Sequence, residues 1–226
     1  MKKVFFYLLL AASFVACKDE TSVVPGSGVL YVNALPEASN LDVFNNATLI
    51  DTGLVYNDYT PYYLTQPGNY SVAFADHNTG TALASLTTDF VSNGFYSVYT
   101  IQDGAAKKAV VILDKLVQPA TDSCYVRFLH FSPDAGGVDV AVTGGDNLFS
   151  TRTYNDQEAN PAKADFIELA AGTYNLEVRP IGSGTAVLSL PNTVLEGGKI
   201  YTIYARGLVS AAAPYDLGAG ILVNYP

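Results

Sequence analysis

Tryptophan is absent from this chain, and cysteine, histidine and methionine are nearly so: its 226 residues include two Cys, two His and one Met. Two cysteines exclude a disulfide framework and a four-cysteine zinc site. Charge is also scarce. Only 15% of residues are charged, and acids outnumber bases 21 to 12, for a net charge of −9. A nucleic-acid-binding protein needs a basic face, and this chain has too few cations to build one. A hydrophobic content of 49% with 19 Gly and 11 Pro excludes a disordered, collagenous or coiled-coil chain. The length fits one large domain or two small ones, at roughly 150 residues per domain.

The ends of the chain differ in character. Lys2 and Lys3 precede a predominantly apolar run over residues 4–16. A spanning helix needs about 20 such residues, so the run has the length of a signal-peptide core. It closes on Phe14-Val15-Ala16-Cys17, which resembles a bacterial lipobox with Cys17 as the lipidated first residue of the mature protein. Acyl chains contribute about 0.8 kcal/mol per buried CH₂, so several of them make a durable anchor. Lys18-Asp19-Glu20 follow and resemble a surface-export signal of lipoproteins in some Gram-negative lineages. The expected address is therefore the outer membrane, facing the exterior, with the periplasmic face as the alternative. Residues 21–28 read as a short flexible linker.

The remainder repeats itself. Val32-Asn33-Ala34-Leu35-Pro36-Glu37-Ala38 with Leu41-Asp42-Val43 matches Leu129-His130-Phe131-Ser132-Pro133-Asp134-Ala135 with Val138-Asp139-Val140. Tyr56-Asn57-Asp58 returns as Tyr154-Asn155-Asp156, and Gly68-Asn69-Tyr70 as Gly172-Thr173-Tyr174. Conserved order over such blocks marks tandem copies of one unit. The expected division is a signal peptide at 1–16, lipidated Cys and linker at 17–27, one repeat at 28–117, a linker at 118–122 and a second repeat at 123–226.

Within each copy the pattern is that of strands. Tyr174, Leu176 and Val178 alternate with Asn175, Glu177 and Arg179, and Tyr70, Val72 and Phe74 do the same earlier, the period-two signal of half-buried β-structure. No stretch sustains a helical period. About seven short strands per copy predict an all-β protein of two tandem immunoglobulin-like sandwiches. Tyr70 and Tyr174 are placed to act as corner tyrosines, with buried rings and hydroxyls bonded to nearby backbone.

Arg127-Phe128-Leu129-His130-Phe131-Ser132-Pro133-Asp134-Ala135, followed by Val138-Asp139-Val140, resembles the opening motif of a bacterial extracytoplasmic family known as domain of unknown function 4397. The second repeat carries the resemblance nearly end to end. The first departs from it, with Asn33, Leu35 and Glu37 at the His, Ser and Asp positions. The resemblance implies an exported β-sandwich of the cell envelope and brings no chemistry with it.

His130 with Asp134 and Asp139 is the most enzyme-like grouping. Because Asn33 replaces His130 in the other copy, His130, Ser132, Pro133, Asp134 and Asp139 read as structural. Asp76-x-Asn78-x-Gly80 looks like part of a calcium loop but lacks its closing acid, so a hairpin turn is expected. Cys124 opens the first strand of the second repeat and reads as a buried reduced thiol, since a nucleophile would need an activating neighbour. No catalytic residue, metal site or cofactor is expected. Tyr59, Tyr62 and Tyr63, with Tyr215 in the loop 207–218, are the candidate ligand contacts, since tyrosine suits sugar faces and protein anchors. Tyr62 and Tyr63 are adjacent and must face opposite ways, so at most one is expected to meet a core. The function expected is a non-enzymatic binding or adhesive module on the cell surface, with a glycan or an envelope protein as candidate partner. The alternative is a structural spacer or assembly subunit of the envelope.

Overall fold

A computed structural model describes residues 25–38 and 40–225. Cys17, Lys18, Asp19 and Glu20 lie outside the described residues.

The described residues are all-β, as the alternating patterns require, and fall into two sandwich halves of eight strands each. In the first, β1 (Ser27–Asn33), β4 (Tyr63–Thr65), β7 (Phe95–Asp103) and β8 (Ala106–Leu113) form one sheet in the order β4-β1-β7-β8. The facing sheet has β2 (Asn40–Asn45), β3 (Thr48–Val55), β5 (Gly68–Asp76) and β6 (Ala82–Phe90) in the order β3-β2-β5-β6. The second half repeats this strand for strand. Its sheets are β12 (Ile167–Ala170), β9 (Ser123–His130), β15 (Ile200–Arg206) and β16 (Gly218–Tyr225), and β11 (Asn147–Arg152), β10 (Val138–Val142), β13 (Gly172–Pro180) and β14 (Leu188–Leu195), each given in spatial order. The opening strand of each half runs parallel to the seventh, Leu30 opposite Ser97 and Phe128 opposite Ile203. The corner tyrosines make the expected hydroxyl bonds, Tyr70 donating to the Gln66 carbonyl at 2.9 Å and Tyr174 to the Ala170 carbonyl at 2.7 Å, but their rings are half-buried and not fully enclosed, because they pack at the margin of each sandwich core.

Three cores follow from the strand periodicity. Val29, Tyr31 and Val98 point into the first sandwich among Val43, Val72 and Phe74. Cys124, Val126, Phe128 and Ile203 point into the second among Val140, Leu176 and Val178. The alternate residues of β1 and β7, Leu30, Val32, Tyr99 and Ile101, together with Val110 and Ile112 of β8, face outward onto Leu129, Phe131, Tyr204 and Leu222, forming a third core between the halves. β1, β7, β9 and β15 are therefore covered on both faces, which explains runs such as Val29-Leu30-Tyr31-Val32 that do not alternate with polar residues.

This two-sided burial changes the expectation for the adjacent tyrosines. They do face opposite ways, but both directions end in a core. Tyr63 packs on the core of the first sandwich and Tyr62 on the core between the halves.

One departure from the duplication lies between β11 and β12. After Tyr154-Asn155-Asp156 the second half inserts a single helical turn, α1 (Asp156–Ala159), and a 3-10 turn, Pro161–Ala164. The first half passes from Asp58 to β4 without them. Arg152 fixes the insertion, its guanidinium forking onto both Asp156 carboxylate oxygens at 2.8 and 2.7 Å and donating to the Phe128 carbonyl.

Candidate functional site

His130 ends β9 fully buried. Its Nδ1 accepts from the Ser132 amide at 3.3 Å, so Nε2 carries the proton that is donated to the Gly136 carbonyl at 2.8 Å. In the first half, the Asn33 side-chain oxygen accepts from the Leu35 amide and its nitrogen donates to the Ala38 and Leu54 carbonyls. The two residues close the same turn with different side chains. Burial pushes the His130 pKa below its ordinary value, leaving the ring neutral. Pro133 and Asp134 are the central residues of the turn, which Ser132 opens by accepting from the Ala135 amide at 3.4 Å. Asp134 accepts from the Val209 and Ser210 amides and the Ser210 hydroxyl; these bonds hold its carboxyl low and dock the loop 207–218. Asp139 accepts from the Thr151 amide at 2.7 Å. His130, Asp134 and Asp139 thus serve three separate backbone segments and do not converge on one point.

The remaining candidates are also occupied structurally. Asp76 accepts from the Asn78 and Thr79 amides and the Thr79 hydroxyl, a self-contained turn. Cys124 is buried, and burial pushes its thiol up, away from the nucleophilic thiolate. Tyr59 and Tyr62 line the joint between halves. The Tyr59 hydroxyl accepts from the Val223 amide, and the Tyr62 hydroxyl donates to Asp114 at 2.7 Å while accepting from Asn224. Tyr63 donates to Asp51 at 3.0 Å. Tyr215 meets Tyr56 edge-on with ring centroids 5.2 Å apart. These rings are walls of the fold; they do not form a shared open platform.

A residue to which the sequence reading gave no role dominates the joint. Arg127 on β9 is completely buried, with Nη2 2.6 Å from Asp114 and Nε donating to Thr202 at 2.7 Å. Asp114 also accepts from Ser97 and Tyr62, and Thr202 donates to Asn224. The guanidinium lies 4.7 Å over the Phe166 ring. Burial alone would weaken its charge, but Asp114 outweighs that and holds it protonated. The signal in sequence was a lone Arg inside the apolar run Tyr125-Val126-Arg127-Phe128-Leu129, where a charge survives only if paired.

The joint opens at one side into a cleft of about 480 Å³, within the size range of ligand pockets. One wall is the middle of β8 with Leu86 and Thr87 of β6; the other is the insertion, through Gln157, Glu158, Pro161 and Ala164. Two ion pairs cross from wall to wall, Lys108 to Glu158 at 2.6 Å and Lys115 to Asp165 at 2.5 Å. A smaller hollow of about 320 Å³ beside it is bounded by Lys115, Val117, Tyr125, Asp165 and Phe166. Among the described residues no aromatic ring lines the main cleft, and its two carboxylates, Glu158 and Asp165, are both tied to lysines.

The family model for DUF4397, a domain of unknown function, matches residues 27–141, half of the chain. The chain belongs to this family. The DUF4397 match takes in the whole first half and the opening strands β9 and β10 of the second, so it includes the divergent copy as well as the motif around His130. No match is found among curated proteins. Among solved structures, the family CBM26 module CBMbc from Eubacterium rectale Amy13K, in complex with maltoheptaose, aligns over 89% of this chain and 98% of its own at 9% identity and a TM-score of 0.27.

Proposed function

We propose that this DUF4397 protein is a lipid-anchored, non-catalytic binding module of the outer surface, with the cleft beside β8 as its contact surface. The observation that carries this reading is the cleft itself: an apolar slot at the joint, walled on one side by an insertion that the first half lacks. Chemistry is disfavoured there because the cleft holds no histidine or cysteine and its acids are neutralised by lysines. A sugar-binding face calls for stacked aromatic rings, and this cleft has none, so an envelope protein suits it better than a glycan. Cys17 supplies the anchor and Lys18-Asp19-Glu20 the export signal, with the periplasmic face as the alternative address.

The spacer reading keeps one observation in its favour. A buried ion pair and a third core make the joint a stiff connection, as a spacer would need.

Two measurements test the proposal. Cys17→Ala is expected to move the protein from the membrane to the soluble fraction; retention on membranes after a high-salt wash would remove the anchor. Thr87→Trp places a ring in the cleft from an exposed strand position and is expected to abolish capture of envelope proteins while leaving the melting temperature nearly unchanged. Undiminished capture by that variant would leave the spacer as the better reading.

A further inference from the structure

The cleft runs along a bare sheet edge. β8 is the last strand of its sheet and pairs only with β7. Its hydrogen-bond phase is fixed by the next residue: the Asp114 amide donates to the Phe95 carbonyl at 2.7 Å. In an antiparallel ladder the bonded pairs alternate, so with Tyr96 opposite Leu113 and Ser97 opposite Ile112, Ile112 and Val110 turn their N–H and C=O groups to β7. Ala109, Val111 and Leu113 turn theirs the other way, into the cleft that these same residues line. Among the described residues no backbone or side-chain group bonds them. Unpaired main-chain groups on an edge strand are a template for another strand.

We infer that the cleft takes an extended polypeptide segment of a partner protein, added to β8 as a fifth strand. This deepens the binding reading above and rests on it. The ends of the slot are set by the lysines at 108 and 115, which reach across to Glu158 and Asp165. Seven residues of strand span roughly 23 Å, so the slot accepts a segment of about five or six residues. Both lateral faces of such a strand would meet apolar surface. On one side Val110, Ile112 and Ala164 already belong to the core between the halves, and an added strand would continue that core outward. On the other stand Leu86 and Val111, which pack on the core of the first sandwich. The ion pairs leave the walls without net charge, so the segment that fits has small apolar and β-branched residues at its centre. A second folded copy is the poorer occupant, because the insertion and the two ion pairs stand beside the edge and admit a single strand more readily than a whole sheet. Strand addition takes its affinity from main-chain bonds and its specificity from alternate side chains.

The test uses phage-displayed random linear dodecapeptides, selected on the purified full chain in detergent. Binders that Thr87→Trp abolishes are synthesised and measured by fluorescence anisotropy. Each is expected to lose at least tenfold in affinity when alternate amides in its centre are N-methylated, and to tolerate methylation of the intervening ones. Val111→Pro and Leu113→Pro, which each remove one outward N–H without breaking a bond to β7, are expected to weaken the same peptides by a similar factor. The N-methyl series leaves the protein untouched and so stands even if the proline variants fold poorly. Cleft binders indifferent to N-methylation at every position would overturn strand addition while sparing the binding reading. Failure to obtain any binder sensitive to Thr87→Trp would overturn both. A dimer in sedimentation that Leu113→Pro disperses would replace the partner segment with a second copy of the chain.

Discussion

A single position can be filled by chemically different residues when what it supplies is one acceptor and one donor. His130 and Asn33 both accept from the amide two residues on and donate to a carbonyl further along the turn. His130→Asn is therefore expected to fold with a small loss, whereas His130→Ala leaves an amide and a carbonyl unmatched and should cost on the order of 1–3 kcal/mol, as read by urea unfolding. The histidine also carries a pH dependence. Its folded-state pKa lies below the ordinary 6.5, so the unfolded chain binds the proton first. The contribution is fully present above about pH 6.5 and falls as pH drops toward the depressed folded value; thermal melts of His130→Asn should lack that part of the fall. Arg127 is the opposite kind of residue, since nothing neutral replaces it singly. Arg127→Met strands a buried Asp114 and should cost about 3–5 kcal/mol, most of which Arg127→Met with Asp114→Leu restores. Equal unfolding midpoints for the single and double variants would show that the pair is not coupled.

Strands with two buried faces make element-level expectations differ from those for an ordinary half-exposed sheet. Tyr62 sits at the foot of β4 and Tyr63 opens it, and their rings enter different cores. Tyr62→Ala and Tyr63→Ala are each expected to destabilise by about 2–3 kcal/mol, below the full cost of deleting a completely buried aromatic, because both rings are only partly buried. A nearly neutral result at either position would mean that one face of β4 is effectively open. The matching blocks lie 98 residues apart at Tyr56 and Tyr154 but 104 apart at Gly68 and Gly172, so the insertion after β11 shows in the sequence as added length and not as a role. Its placement comes from Arg152, which grips the neighbouring Asp156 and at the same time reaches the Phe128 carbonyl of β9, and only the second of these contacts is non-local.

For the molecule as a whole, the two halves share a core and a buried ion pair, so their stabilities are linked. We expect residues 25–117 and 123–226 made separately to fold, since each holds the core of its own sandwich. Each should melt at a lower temperature than the full chain, because the residues of the third core are then open to water. Mixing the halves should restore part of the loss by association. Calorimetry checks this directly: equal melting temperatures for the halves and the whole would show that the joint adds no stability. The full chain is expected to give one cooperative transition.

Period-two alternation and the ordered repeat fixed the all-β class, the duplication and the hydroxyl bonds of the two corner tyrosines, because each is a local or copy-to-copy property that a single chain displays. The structural character of His130 was legible for the same reason, since Asn33 stood at its counterpart. The sequence also held the apolar run of β1 and that of β9, broken only by Arg127, but a run alone does not say what covers the second face. Only the tertiary structure decided that the other half covers it, and with that the buried Arg127–Asp114 pair, the inward turn of Tyr62 and the cleft along β8. All of these depend on how the two halves meet, and side-chain periodicity carries no information about that.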